Sequence, residues 1–290
     1  MIKNPISYPG NKNRLLKQLL PEFPENINTF VDVFCGSGVV GINSNSNAIV
    51  FNDINKFTLE VLRYFYEVPS HEVIRSIENI IEYYGLTYSR TKEKGFYIEY
   101  RHEGLSNYNR QGYNRLKNDY NINHDVDKLV VLLIYGFNHY LRFNKHGDFN
   151  VPVGKVDLSK SIYDALIEFV DAIKDKNIQI SNFDFRTQEL YEGEDKFFYF
   201  DPPYLITTAP YNNDWSVDDE KDLLNLLDNL NAQNKKFALS NVLLSNGKEN
   251  LLLKEWCKKY NTVYMHRQYR NANYQKKNIT DSIEVLIKNY

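Results

Sequence analysis

The clearest indication of the fold is the segment Thr29-Phe30-Val31-Asp32-Val33-Phe34-Cys35-Gly36-Ser37-Gly38. Its first six residues are mostly β-branched or aromatic, which predicts a buried strand. Gly36 and Gly38 follow at once, and glycine permits the tight turn and the close backbone approach of a ligand that larger residues hinder. A strand that feeds a glycine turn usually leads into a helix. The stretch therefore predicts the start of a nucleotide-type α/β unit.

A second strand is predicted at residues 48–53, and it ends in Asp53. In nucleotide-type α/β folds an acidic residue at this place hydrogen-bonds ribose hydroxyls, and Asp53 lies 17 residues beyond Gly36. The combination indicates an adenosine-bearing cofactor without saying which one. Because Gly36, Gly38 and Gly41 also match the dinucleotide pattern Gly-x-Gly-x-x-Gly, NAD remains an alternative.

The tetrapeptide Asp201-Pro202-Pro203-Tyr204 follows an aromatic run at residues 197–200, which predicts another buried strand. The two prolines remove backbone donors and fix φ, so the carboxylate and the carbonyl groups form a rigid set of acceptors. The ring of Tyr204 lies beside them. Such a set suits a planar ring that bears an amino group. The same residues are also typical of an ordinary turn at the end of a strand.

Further strands and helices are predicted to alternate along the chain, which indicates an α/β fold with a mainly parallel sheet. The additional strands are predicted at residues 178–183, 236–242, 262–266 and 282–287. The helices are predicted at residues 13–20, 56–66, 70–84, 125–141, 161–174, 217–232 and 248–259, with capping boxes that begin at Ser161 and Ser216.

Residues 86–125 differ from the rest in being polar and rich in Tyr, Asn, Arg and Gly, which indicates an inserted domain. Residues 142–154 are predicted to form a hairpin that turns at His146-Gly147, where exposed Arg and Asn side chains could reach base edges. We therefore predict one domain from residues 1–67 and 158–290, and an insertion at residues 68–157.

Composition restricts the class of protein. Apolar residues make up 42% of the 290 residues and charged residues 25%, as in a soluble globular protein. No apolar run approaches the roughly 20 residues that span a bilayer, and the N-terminus lacks a signal sequence, which predicts a cytoplasmic protein. Cys35 and Cys257 are far apart and lack metal-ligand spacing, so we expect no metal site.

Charge gives no global argument for nucleic acid, because the net charge is −2. Its distribution is less even. Residues 86–118 carry seven Lys or Arg against three Glu, and residues 254–278 carry seven against one. Basic stretches with interleaved tyrosines fit a surface for a phosphate backbone, although solvated helix faces give the same pattern.

Three ordered motifs together resemble the Dam-type DNA adenine-N6 methyltransferases of the D12 class, alpha group, and in particular the members from T-even phages. Ser7-Tyr8-Pro9-Gly10-Asn11-Lys12 resembles the family's N-terminal cofactor motif, residues 30–38 its glycine motif, and Asp201-Pro202-Pro203-Tyr204 its catalytic motif. The resemblance implies a Rossmann-like S-adenosylmethionine-dependent sheet with helices on both faces. It also implies an inserted, mainly helical target-recognition domain with a β-hairpin.

The resemblance also implies roles for individual residues. S-adenosylmethionine is expected to contact Tyr8, Lys12, Phe34, Gly36, Gly38, Asp53, Phe185 and Asp201. Asp201, Pro202, Pro203 and Tyr204 are expected to hold an adenine flipped out of double-stranded DNA. Contacts to DNA are expected from Lys117, Asn121, Asn138, Arg142, Asn144, Pro152 and Tyr211.

The implied reaction is direct methyl transfer to N6 of adenine, with S-adenosylhomocysteine as product and no metal. Lys117 and Val156 depart from the phage pattern, and residues 85–111 contain extra sequence, so GATC is only one possible site. Methylation of cytosine N4 is the nearest alternative. An NAD-dependent oxidoreductase and a DNA-binding regulator without catalysis are more distant ones. A monomer or weak dimer on DNA is expected, in cellular regulation, phage protection or restriction-modification.

Overall fold

A computed structural model describes residues 1–6, 12–91, 104–207, 215–265 and 282–290. Its strands are β1 Ile27–Asp32, β2 Ser46–Asn52, β3 Asn177–Ser181, β4 Lys196–Phe200, β5 Lys236–Ser245, β6 Lys248–Glu249, β7 Asn261–Met265 and β8 Ser282–Lys288. Its α-helices are α1 Leu16–Leu19, α2 Val39–Asn43, α3 Lys56–Glu67, α4 Ser70–Tyr84, α5 Ser106–Asn123, α6 Val126–Tyr135, α7 Lys160–Lys174, α8 Val217–Ala232 and α9 Leu251–Trp256.

The chain divides into two compact units. The helical unit comprises Met1–Asn13, Gly36–Ile42 and Asn55–Ile178. The sheet unit comprises Arg14–Cys35, Asn43–Ile54 and Gln179–Tyr290. The predicted boundaries of the inserted domain, residues 68–157, stay a prediction.

The sheet has the strand order of a doubly wound α/β fold. Its strands lie in the order β3-β2-β1-β4-β5-β8-β7, and β6 pairs with β5. β1 is parallel to β2 and β4, and β4 is parallel to β5. β8 is antiparallel to both β5 and β7. The predicted Rossmann-like α/β class is confirmed, and the order reverses between β1 and β4, where such folds bind ligands.

Aromatic residues build the middle of the sheet. Residues 197–200 of β4 are all buried, as is expected for a strand that has neighbours on both sides. On one face Phe23, Phe30, Phe197 and Tyr199 form a cluster with ring centroids 5.3 to 6.0 Å apart. Fully burying an aromatic side chain contributes about 1.5 to 3 kcal/mol, so this cluster fixes β1 against β4.

The helical unit is organised around α6, whose residues 129–135 are all buried. This helix was predicted to reach residue 141, but it ends at Tyr135 because Gly136 is extended, with φ −73° and ψ 151°. Residues 143 and 149 then pair as the predicted hairpin requires. No helix in the described ranges is long and apolar enough to cross a bilayer.

Helix α5 is the longest element that the sequence did not predict. Its mean hydropathy is low, but its buried residues recur at helical spacing, namely Asn109, Gly112, Tyr113, Leu116 and Tyr120. Tyrosine and asparagine thus occupy core positions that leucine usually fills.

Two predicted helix starts were wrong because a different residue caps the helix. The N-cap of α7 is Ser159, whose hydroxyl accepts from the amide of Ile162, and not Ser161. Asn250 caps α9 in the same way, so the two residues before it, predicted as helix, form β6 instead. The capping box at Ser216 is confirmed.

Candidate active site

Three of the predicted site residues lie where parallel strands of the sheet unit end. Asp53 directly follows β2, Asp201 directly follows β4, and Phe34 comes two residues after β1. Because β1 is parallel to both neighbours, these carboxyl ends meet at one edge of the sheet. The edge lies at the reversal of strand order, so it is the ligand-binding edge that doubly wound folds use.

Buried Asn52 organises the loops at this edge. Its Nδ2 donates to the carbonyl oxygens of Val33 and Phe183, both at 3.0 Å. Its Oδ1 accepts from the Phe183 amide at 3.0 Å and from the Ser181 hydroxyl at 2.9 Å. One side chain therefore joins the loop after β1 to the loop after β3. This role was not predicted from the sequence, although an asparagine at the end of an apolar strand is a signal for it.

Phe34, Phe185 and Trp215 form an aromatic wall at the same edge. The ring centroid of Phe34 lies 5.6 Å from that of Phe185 and 5.8 Å from that of Trp215, and the last two centroids are 5.4 Å apart. Such a wall offers a face on which a planar adenine ring can stack. Phe34 and Phe185 were predicted cofactor residues, and the structure brings them together. Trp215 was missed, although it lies directly before a capping box.

Glu220 on α8 holds Trp215 from inside the core. Its carboxylate accepts from the Trp215 indole nitrogen at 2.8 Å, from Asn250 Nδ2 at 2.9 Å and from Asn241 Nδ2 at 3.4 Å. Burial raises the pKa of Glu220, whereas the three hydrogen bonds lower it. The carboxylate thus couples the aromatic wall to β5 and to the start of α9.

Asp201 and Tyr204 are hydrogen-bonded to each other. The Tyr204 hydroxyl donates to Asp201 Oδ1 at 2.9 Å and lies 3.4 Å from Oε1 of Glu284 on β8. Burial, followed by the charges of Asp201 and Glu284, raises the pKa of Tyr204 well above its usual value. The hydroxyl therefore stays protonated. The predicted platform residue is anchored to the predicted catalytic carboxylate, and Pro202 beside them is buried.

Cys35 is not a nucleophile in this arrangement. The thiol is buried, and that burial, with the charges of Asp53 and Asp32, raises its pKa well above the usual value. A protonated thiol does not attack a methyl group. In the described segments no group of three or more His, Cys, Asp or Glu side chains could hold a metal ion.

The other predicted cofactor residues belong to the helical unit or lie outside the described residues. Gly36 and Gly38 have φ +47° and +71°, in the left-handed region that favours glycine. Among the residues that the structure describes, none has an atom within 4 Å of a Cβ added to Gly36. Lys12 is buried. Tyr8 and Tyr211 lie outside the described residues.

Among the predicted DNA contacts, Asn121 and Asn144 hold the hairpin together. Asn121 on α5 accepts from the amide of Phe149 at 2.8 Å and donates to its carbonyl at 3.2 Å. Asn144 Oδ1 accepts from the amides of His146 and Asp148 at 2.8 and 3.0 Å, which makes the turn. These two side chains shape the hairpin in the structure, and their contact with DNA stays a prediction.

Three of the other predicted DNA residues are exposed, and Lys117 is half-buried. Arg142 is exposed and donates to the side chain of Asn150 at 2.8 Å and to its carbonyl at 3.1 Å. Asn138 is exposed with φ +52°, and Pro152 is exposed. Lys117 lies on α5, one turn before the asparagine that holds the hairpin, and burial lowers its pKa.

Stacking fixes the hairpin to the rest of the helical unit. The ring of Phe143 lies parallel to that of Phe57 on α3, with centroids 3.8 Å apart and planes at 16°. Phe143 also meets Phe149 edge to face at 5.7 Å. The stacking on Phe57 therefore holds the hairpin on α3.

Comparison with known proteins identifies the family. The model of the D12 class N6 adenine-specific DNA methyltransferases matches residues 8–273. The chain is 40% identical over 302 residues to the Type II methyltransferase M.FokI of Planomicrobium okeanokoites, and 37% identical over 304 residues to Modification methylase StsI of Streptococcus sanguinis. Each alignment covers 100% of this chain and 43% of the relative.

A third relative is nearer in length to the chain. The Type II methyltransferase M.MjaIII of Methanocaldococcus jannaschii is 28% identical over 257 residues, which are 83% of this chain and 84% of that protein. The chain spans less than half the length of the first two relatives. The family match covers most of the chain and includes the glycine turn and the Asp201 motif, so the chain belongs to the D12 class N6 adenine-specific DNA methyltransferases.

Proposed function

We propose that the chain transfers a methyl group from S-adenosylmethionine to N6 of an adenine in double-stranded DNA. The observation that carries the proposal is the position of Asp201 in a chain of this family. Its carboxylate follows β4 at the reversal of strand order and accepts from Tyr204. An adenine-specific enzyme needs a hydrogen-bond acceptor for the amino group of its target base at the ligand-binding edge. The Asp201 carboxylate is such an acceptor, and it lies at that edge.

The residues fit S-adenosylmethionine. The aromatic wall of Phe34, Phe185 and Trp215 can take up its adenine ring, and Asp53 at the end of β2 can accept from ribose hydroxyls. When bound, the cofactor supplies a methyl group on a sulfonium and is left as S-adenosylhomocysteine. The contributions of Tyr8, Lys12, Gly36 and Gly38 stay predictions from the resemblance.

Asp201 and Pro202 act on the amino group of the base. The N6 lone pair is delocalised into the ring, which makes it a poor nucleophile. The Asp201 carboxylate and the Pro202 carbonyl would accept its two hydrogens and favour a pyramidal nitrogen, whose lone pair points at the methyl group. Pro203 keeps the turn rigid, and the ring of Tyr204 would stack on the flipped base and offset part of an unstacking cost of a few kcal/mol.

The hairpin and α5 are the proposed DNA-reading surface. Arginine reads guanine and asparagine reads adenine through paired hydrogen bonds in the major groove, so Arg142 and Asn138 are the exposed candidates for base contacts. Lys117 would contact phosphate, and Tyr211 would help to hold the flipped state. Residues 68–157 are the proposed recognition domain.

Five finer predictions belong to this proposal, on relatives, recognised site, oligomeric state, location and biological role. The likeness to T-even phage enzymes, and GATC as the recognised site, rest on the resemblance. The state on DNA is proposed as a monomer or weak dimer in the cytoplasm. A restriction-modification role is supported by the printed names of M.FokI and StsI, which are a Type II methyltransferase and a modification methylase.

The decisive experiment measures modified nucleosides by mass spectrometry after incubation of DNA with the protein and S-adenosylmethionine. N6-methyladenine is expected from the wild type, and Asp201→Ala should lower its formation by about 100-fold or more. Glu194→Ala is the matched control, because Glu194 is exposed before the amino end of the same strand. N4-methylcytosine as the product would refute the adenine assignment. Undiminished transfer by a folded, cofactor-binding Asp201→Ala protein would refute the role of Asp201.

A further inference from the structure

Glu284 is a buried carboxylate that the proposed reaction does not yet use. It is the one charged residue among residues 282–287 of β8, and only 3% of its surface is exposed. Burying a carboxylate is costly unless donors compensate it. The Tyr204 hydroxyl lies 3.4 Å from Glu284 Oε1 and donates at 2.9 Å to Asp201 Oδ1. Two carboxylates therefore lie within reach of one hydroxyl.

The hydroxyl can serve only one of them at a time, because it carries a single hydrogen. Burial and the charges of Asp201 and Glu284 raise the pKa of Tyr204, so this hydrogen stays on the tyrosine. Nearby, the Tyr199 hydroxyl lies 2.8 Å from the Ser240 hydroxyl, and burial with the charges of Asp201, Asp32 and Glu284 raises its pKa also. The region is thus rich in negative charge, which keeps both tyrosine hydroxyl groups protonated.

We propose that Glu284 is a positioning residue, which takes over the Tyr204 hydrogen bond when Asp201 accepts the amino group of the target base. The inference rests on the proposed function. In the structure the shorter contact is to Asp201, where the hydroxyl occupies part of the acceptor that the base needs. A carboxylate that already accepts a hydrogen bond is a weaker acceptor for a second one. Rotation about the tyrosine C–O bond towards Glu284 frees Asp201 without moving the ring.

A second carboxylate suits this role better than a neutral acceptor. A hydrogen bond to a charged group is roughly twice as strong as one between neutral groups, so only a charged partner can compete with Asp201 for the hydroxyl. Glu284 lies here because β8 pairs antiparallel with β5, in a register that places Glu284 opposite Val242. The Tyr204 ring stays in place for stacking in either hydrogen-bonding state.

The test is a double-mutant cycle on the single-turnover rate of methyl transfer, at saturating DNA and S-adenosylmethionine. Glu284→Gln should lower the rate by about tenfold, because the neutral amide competes poorly and the hydroxyl stays on Asp201. Tyr204→Phe removes the hydroxyl, so adding Glu284→Gln to it should change the rate by less than about twofold. Cofactor affinity by calorimetry should be unchanged in Glu284→Gln.

Glu249→Gln is the matched control, since Glu249 is an exposed glutamate on β6 of the same sheet. Should Glu284→Gln fail to fold, Glu284→Asp keeps the charge, withdraws it by one methylene and enters the same cycle. The proposal would be overturned if Glu284→Gln lowered the methyl-transfer rate equally in the wild type and in Tyr204→Phe. It would also be overturned if Glu284→Gln did not lower the rate in the protein that keeps Tyr204. Failure of the proposed function is distinguishable, because the wild type would then form no N6-methyladenine.

Discussion

Replacing Glu220 by alanine should destabilise the sheet unit by about 3 kcal/mol. The side chain is fully buried, and its carboxylate is the acceptor for the amides of Asn241 and Asn250, which are 0% and 2% exposed. Each buried donor left without an acceptor costs about 1 to 3 kcal/mol. The half-buried indole of Trp215 can turn to water and adds little, and removing a buried charge offsets part of the cost.

The assay is equilibrium unfolding in urea, followed by circular dichroism. Asn225→Ala is the control, because Asn225 is exposed on the same helix and should change stability by less than about 0.5 kcal/mol. Glu220→Gln should lower the free energy of unfolding by about half as much as Glu220→Ala does, since the side-chain amide keeps one acceptor oxygen. A loss below about 1 kcal/mol for Glu220→Ala would show that the three donors find other acceptors, and the account of this clamp would be wrong.

Three further predictions concern other parts of the structure. Hydrogen bonds from Ser216, and then from Arg186, lower the pKa of Asp219 to about 2. The stabilisation from this carboxylate is present above pH 3.8 and is lost as the pH falls through 2, so Asp219→Asn should remove this acid-dependent part in urea unfolding. Gly112→Ala should cost about 2 kcal/mol or more in the same assay, because the new Cβ would lie 2.2 Å from the Tyr84 carbonyl oxygen. S-adenosylhomocysteine should change the fluorescence of Trp215, measured in a Trp256→Phe background.

The first two of these predictions have matched control variants, and all three have an outcome that would contradict them. Asp218→Asn is the control for the cap, because Asp218 is exposed on the same first turn, and an equal pH dependence in both variants would contradict the assignment. Asn114→Ala is the exposed control on α5, and a glycine variant as stable as wild type would mean that the helices shift apart freely. Cofactor binding seen by calorimetry without any change in fluorescence would remove Trp215 from the binding wall.

Local physics explains which elements the sequence predicted well. Helix α4 was predicted over its full extent because Gly85 ends it at φ +64°, and α8 because its capping box is encoded within four residues. Helix α5 was missed because its buried side chains include Asn109, Tyr113 and Tyr120, which are usually counted as polar. Polarity alone is therefore a poor guide where tyrosine fills the core.

The candidate site divides in the same way. Asp53 and Asp201 were predictable, because a carboxylate directly after a buried strand lies at the end of that strand whatever its neighbours are. Trp215 and Glu220 were not, since a wall of rings and its buried support depend on how loops from different strands meet. Asn121 and Asn144 were predicted as DNA contacts, whereas their hydrogen bonds within the hairpin depend on tertiary packing.

Three features could be predicted from residue order alone, namely the strand and glycine turn at residues 29–38, the acceptor motif that begins at Asp201, and the α/β class. These depend on neighbouring residues, through backbone preference, burial and capping. The position of Glu284 beside Tyr204, 80 residues away in the chain, could not be predicted in this way. That contact exists because β8 lies antiparallel next to β5. The order of strands depends on the packing of the whole sheet and not on neighbouring residues.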